Sequence, residues 1–195
     1  MNTLIVPDIH AKIGRLLSIE KDLFPRADKI VMLGDFYDTF DADKKAVEMC
    51  QWILDHIDED RIIFLLANHD CHYAFEHDHF KCSGYTPSTH AIVQEMIPIS
   101  VWEKFHIYTR VGPYLISHAG FTEHTLIYAC PEVEKECIRT ALAGQFDPVF
   151  GAGWARGGML RLGGPTWLDW NSEFEHIDDV PQIVGHTEGK DVRVK

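Results

Sequence analysis

The chain has no long apolar run. No stretch of its 195 residues approaches the roughly 18 to 20 consecutive apolar residues that span a bilayer, so no transmembrane helix is expected. The opening "MNTLIVPDIH" lacks the basic start and small-residue cleavage site of a secretory signal, which makes the cytoplasm the expected location. Cysteine is scarce. Cys50, Cys71, Cys82, Cys130 and Cys137 are odd in number and irregularly spaced, a pattern of reduced thiols and not of a disulfide framework. Basic charge is short too: 18 Lys and Arg stand against 30 Asp and Glu, for a net charge of -12. Nucleic-acid polymers are bound by clustered Lys and Arg, so that class of partner is not expected. Repeats, low-complexity tracts and linkers are also missing. What remains is 46% hydrophobic and 25% charged, the composition of a soluble domain, read here as one domain over residues 1–195 with a sizeable core. The surplus of carboxylates suits hard cations.

The apolar residues come in short runs: "TLIV" (3–6), "KIVML" (29–33), "RIIFLL" (61–66), "PYLIS" (113–117) and "PQIV" (181–184). Unbroken Ile, Val and Leu predict strands covered on both faces of an α/β sheet. Ala46, Val47, Cys50, Ile53, Leu54 and Ile57 recur at helical period between the second and third runs, and Val133, Cys137, Ile138, Ala141 and Leu142 do so after Pro131, stopping near Gly144. Residues 71–90 and 144–172 show neither period and are expected to be loops that carry function or cover a site.

Each strand run leads into residues of metal-ligand type. The first is followed by Asp8 and His10, the second by Asp35 and Asp38, the third by Asn68, His69 and Asp70, the fourth by His118, the fifth by His186. Ligands of open α/β sheets bind at the carboxyl ends of the strands, so these distant residues are expected to converge. A lone His or Asp at a strand end is usually a cap or a satisfied polar group; the ordered set is much more specific. Carboxylates, imidazoles and an amide oxygen form a mixed set suited to Mn, Fe, Zn or Co. Two such ions about 3.5 to 4 Å apart clamp a phosphoryl group and acidify a water, which points to phosphate ester hydrolysis.

The ordered motifs "DIH", "GDFYD", "NHD", "HAG" and "GHT", from Asp8 to His186, resemble those of the calcineurin-like metallophosphoesterases. The resemblance implies an α/β fold built as a β-sandwich of mixed sheets flanked by helices, with the active site at the strand C-terminal ends. It implies two divalent metal ions, Mn foremost and Fe, Zn, Co or Ni as alternatives. One would be held by Asp8, His10 and Asp35, the other by Asp35, Asn68, His118 and His186. It also implies that His69 is a general acid oriented by Asp38. Thr187 and Glu188 follow His186 where the diesterase branch has a second histidine, so the sequence looks more like the phosphoprotein phosphatase and diadenosine tetraphosphatase branch.

The chain departs from that pattern at several places. Pro7 and Ala67 replace glycines that are usual before the first and third motifs, a matter of backbone. Many protein phosphatases place a phosphate-gripping arginine directly after the second Asp of the GDxxD motif, where this chain has Thr39. Arg156 and Arg161, in "GWARGGMLRLGGPTWLDW", are the candidate substitutes, because a guanidinium can hold two phosphate oxygens. The alternative is a surface loop packed by Trp154, Trp167 and Trp170 with solvated arginines. In "NHDCHYAFEHDHFKC", Cys71, His72, His77, His79 and Cys82 have no CxxC or HxxxH spacing that supports a separate zinc site. A polar loop at the rim is expected there, with His69 alone committed to chemistry. The leading function is hydrolysis of a phosphate monoester on a protein or small molecule. A nucleotide anhydride or diester hydrolase, for instance one acting on a dinucleoside polyphosphate, is the second, and a non-catalytic scaffold the third.

Overall fold

The computed structural model describes residues 1–38 and 42–194. Strand β1 (Thr3–Val6) leads through helix α1 (Ile13–Leu23) to β2 (Lys29–Met32), and α2 (Ala42–His56) connects to β3 (Ile62–Phe64). These strands form a wholly parallel sheet in the order β1-β2-β3, with Val6 opposite Met32 and Met32 opposite Phe64. Parallel neighbours require long crossovers, and the helices provide them. Successive side chains point to opposite faces. Ile30 and Met32 therefore join Leu16, Met49 and Ile53 in the core that involves the helices, while Val31 and Leu33 face the other way, toward Leu65 and Ile116. Burial on both faces explains why the runs are unbroken.

Helices α3 (Asn68–Ala74), α4 (Pro87–Met96) and α5 (Ile99–Trp102) come next. Helix α4 starts at Thr86, whose Oγ1 accepts the Thr89 N–H at 3.1 Å, with Pro87 in the first turn. The second sheet contains β4 (Tyr108–Val111), β5 (Tyr114–Ser117) and β6 (Gln182–Ile183), β4 antiparallel and β6 parallel to β5. Helix α6 (Pro131–Leu142) begins at a proline, with Glu132 and Glu134 in its first turn and Arg139 in its last, each sign matching the helix dipole. The two sheets meet across Val31, Leu33, Leu65 and Ile116, flanked by Ile5 and Ile183. The α/β sandwich with flanking helices is thus present.

Several elements differ from expectation. Among the described residues only the second sheet is mixed, and antiparallel pairing is confined to β4 and β5. The stretch 71–90 is not one loop: it contains the end of α3, a turn of helix at Asp78–Phe80 and the start of α4. Six of the seven residues of α3 are buried, so it shows no polar face and no helical period. Strand β4 is half exposed and lacks an apolar run, and α1 fully buries only Leu16. The stretch 144–172 contains one-turn helices at Pro148–Phe150 and Trp154–Arg156 and is otherwise irregular, as expected. All five cysteines are free thiols. Among the described residues no helix is long and apolar enough to cross a membrane.

Candidate metal centre

The strand ends turn sharply. Among the described residues, five non-glycine positions have positive φ, and three of them are His10 (47°), Asp35 (56°) and His186 (64°). Such conformations are uncommon for side-chain-bearing residues and persist only where the surroundings enforce them. Here backbone bonds do so: the His10 N–H donates to Asp35 O at 2.6 Å and the Ala11 N–H to Phe36 O at 2.7 Å, which ties the β1 and β2 turns together. The fully buried Asp70 carboxylate adds a third tie. It accepts the N–H groups of Asp35 and Phe36 at 2.8 Å each and of Ala67 at 3.2 Å. Gly34 (φ 99°) leaves no room for a side chain, since a Cβ there would stand 2.5 Å from Ala67 Cβ and 2.9 Å from Leu65 O. A Cβ on Gly185 would be 2.8 Å from Asp8 Oδ1.

The turns bring the predicted ligands together. Donor atoms of Asp8, His10 and Asp35 lie within 4.8 Å of one another, as do those of Asp35, His118 and His186, so Asp35 belongs to both groups. Nε2 of His10 and Nε2 of His118 are each 3.6 Å from Asp35 Oδ2. His118 Nδ1 lies 2.8 Å from Leu33 O, which requires a proton on Nδ1 and leaves Nε2 with a free lone pair. That lone pair faces Asn68 Oδ1 and His186 Nδ1, both at 3.0 Å. Burial pushes His118 down and His186 down to about 2, so both rings are neutral, and it pushes the Asp35 carboxyl up, with Asp8 adding to the effect and His69 opposing it. The neutral His186 ring has a single proton for its two nitrogens, so the cluster holds more lone pairs than protons. Divalent cations resolve that arrangement, and the mixed N and O donor set fits them.

Asp38 and His69 lie beside this cluster. His69 Nδ1 is hydrogen-bonded to Asp38 Oδ2, and the same carboxylate meets Tyr73 Oη at 2.5 Å and His72 Nε2 at 3.1 Å. Burial works against charge on both groups, yet these bonds hold the Asp38 carboxyl well below its usual range and raise His69 to about 11. His69 thus carries a proton that it could donate. Its backbone N–H reaches Asp35 Oδ1 at 3.1 Å, which fixes the ring next to the ligand cluster.

The neighbourhood of His69 is richer than the expected rim loop. His72 Nδ1 and His69 Nδ1 lie 3.2 and 3.8 Å from Cys82 Sγ, and the three donors form another group within 4.8 Å. The other residues of that stretch are elsewhere: Cys71 is in the core, while His77 and His79 stack on each other and against Phe146.

Of the two candidate arginines, Arg156 lies near the centre. Its Nη2 is 2.8 Å from Asp169 Oδ2 and 2.9 Å from Thr187 Oγ1, the residue after His186. It lines, with Cys82 and Trp167, a cavity of about 520 Å³. Arg161 is exposed and does not line that cavity. Thr39 lies outside the described residues. The loop that presents Arg156 is organised by two acids: Asp169 holds the guanidinium, and Glu173 Oε2 accepts the Gly163 and Asp169 N–H groups at 3.2 and 3.0 Å.

Sequence reading gave Asp70 no specific role and set aside a zinc site containing His72 and Cys82. Asp70 had a usable signal, since it is the third residue of α3 and its carboxylate takes the Ala67 N–H, half of a capping box. His72 follows His69 by one helical turn on α3. Cys82 has no sequence signal, because a chain reversal beyond α3 delivers it.

A family model for calcineurin-like phosphoesterases matches residues 1–187. No curated protein matches the chain.

Proposed function

The chain belongs to the calcineurin-like phosphoesterase family, metal-dependent hydrolases of phosphate esters, and from that premise we propose that it is a dinuclear phosphomonoesterase of the phosphoprotein phosphatase and diadenosine tetraphosphatase branch. The observation that carries this reading is the membership of Asp35 in both donor groups. Asp8, His10 and Asp35 would hold one divalent ion, and Asp35, Asn68, His118 and His186 the other, with Mn the first choice. Bound there, the ions supply charge to clamp a phosphoryl group and to make water a nucleophile at neutral pH. The rest falls to the chain's own side chains. His69 gives its proton to the departing oxygen, and Asp38, itself steadied by Tyr73 and His72, keeps the ring in place. Arg156 grips the substrate phosphate, pre-set by Asp169 and Thr187. The branch is supported by Thr187 and Glu188, which leave no second histidine after His186.

The test is a hydrolysis panel with Mn-loaded protein: a phosphopeptide, an alkyl monophosphate, a dinucleoside polyphosphate and a bis-aryl phosphodiester. The monoesters are expected to turn over at least about tenfold faster than the others. A preference for the polyphosphate or the diester overturns the monoester reading, and no turnover by protein holding both metals would leave a scaffold.

A further inference from the structure

Cys82, His72 and His69 form a cluster that phosphate hydrolysis does not require. His72 is fully enclosed, with a side-chain exposure of 0%. Its Nε2 lies 3.1 Å from Asp38 Oδ2, an atom that can only accept while the carboxylate is ionised, so Nε2 carries a proton and Nδ1 is the nitrogen left for another partner. Nδ1 faces Cys82, with Sγ 3.2 Å away and the backbone nitrogen at a long 3.4 Å. Cys82 Sγ is in turn 3.8 Å from His69 Nδ1. Tetrahedral zinc, with Zn–S of about 2.3 Å and Zn–N of about 2.0 to 2.1 Å, sets S···N separations of about 3.5 Å. The two observed separations bracket that value. Asp38, in contact with both rings, is at hand as a fourth donor.

We propose that Cys82 Sγ, His72 Nδ1 and His69 Nδ1 form a third metal site, selective for a thiophilic cation of the zinc class, and that its occupation switches off hydrolysis. The selectivity follows from the sulfur: none of Asp8, His10, Asp35, Asn68, His118 and His186 offers one, and thiolate prefers zinc to manganese. The switch follows from His69, and this part rests on its role as general acid. On binding, Cys82 Sγ, His72 Nδ1 and His69 Nδ1 release the protons they carry to solvent and zinc takes their place. With Nδ1 taken by the metal, His69 loses the Asp38 bond that orients its ring toward a leaving group.

The experiment uses the full chain with its primary centre loaded with Mn, titrated with cobalt as a spectroscopic probe and with zinc as inhibitor. A thiolate-to-cobalt charge-transfer band in the near ultraviolet is expected, because among the described residues this is the one donor group that contains sulfur. Cys82→Ser and, separately, His72→Gln should lose the band, whereas Cys130→Ser should keep it. Zinc beyond the primary centre should inhibit the native protein, and Cys82→Ser should retain its basal turnover and need at least about tenfold more zinc. No band in the native protein, a band that survives Cys82→Ser, or equal zinc sensitivity in both proteins overturns the site. Those outcomes differ from failure of the phosphoesterase reading, in which Mn binding and basal turnover are themselves missing.

Discussion

The two donor clusters are neighbours, yet they are assembled in opposite ways. The cluster of Asp8, His10, Asp35, Asn68, His118 and His186 comes from the ends of five strands, and backbone bonds hold its turns in left-handed conformations. The cluster of His69, His72 and Cys82 comes from one short helix and the chain that folds back over it, and it is tied mainly by side chains to Asp38. The first is rich in oxygen and shared around one buried carboxylate. The second has sulfur and sits at the cavity wall. The proposed pair of cations needs a frame that cannot relax, and strand ends from two packed sheets provide one. A proton donor needs only local orientation, which a helix and one carboxylate can give.

The sharpest way to break this comparison is Asp35→Asn. If Asp35 carries both metals, the substitution removes the shared charge, and turnover is expected to fall on the order of 10³-fold or more, with metal content by elemental analysis dropping below two per chain. Activity that survives both this change and exhaustive chelation would place the chemistry elsewhere. His69→Ala probes the other cluster. It should slow hydrolysis of an alkyl phosphate by roughly 10²- to 10⁴-fold but affect a nitrophenyl phosphate, whose leaving group departs unaided, far less, with both metals retained. An equal loss on both substrates would make His69 a packing residue, and loss of a metal would make it a ligand.

Asp70→Ala tests the frame itself. Three buried N–H groups lose their acceptor, at a cost of about 3 kcal/mol, or a melting temperature lowered by about 6 to 12 °C for a chain of this size. Measured on metal-free protein, that loss belongs to the backbone alone; an unchanged melt would mean that the left-handed turns hold themselves. Arg156→Ala is expected to be gentler, raising KM for a phosphate monoester by about tenfold, near 1.4 kcal/mol, with little change in melting temperature. Arg161→Ala should do nothing to either. If Arg161 proves the more sensitive, the assignment of the phosphate grip is reversed. The smallest effect is predicted for His77→Ala with His79→Ala, which should leave cobalt binding at Cys82 unaltered because those rings lie against Phe146.

Much of the first cluster was legible in the sequence because strands impose order. An unbroken apolar run must end at the rim of the sheet, and a ligand-type residue placed just beyond it has few places to go. Arg156 was half legible: the glycines and tryptophans around it marked a special loop, but its tether to Asp169 and Thr187 depends on how the segment closes on itself. Helix α3 was illegible as a helix, since a segment buried on nearly all sides shows no amphipathic stripe. Strand β4 was missed for the reverse reason, being too exposed to form a run.

The sequence by itself determined the residue types, their order along the chain and the strand ends that carry them, because burial on both sheet faces writes itself as continuous Ile, Val and Leu. Only the tertiary structure decided which side chains touch. The sharing of Asp35 between two donor groups depends on backbone torsions at Gly34 and Asp35 that Asp70 enforces from 35 residues away. The meeting of Cys82 with His72 and His69 depends on a reversal of the chain after α3 that has no periodic signature. Distances across a fold are set by packing between segments, and no single segment contains that information.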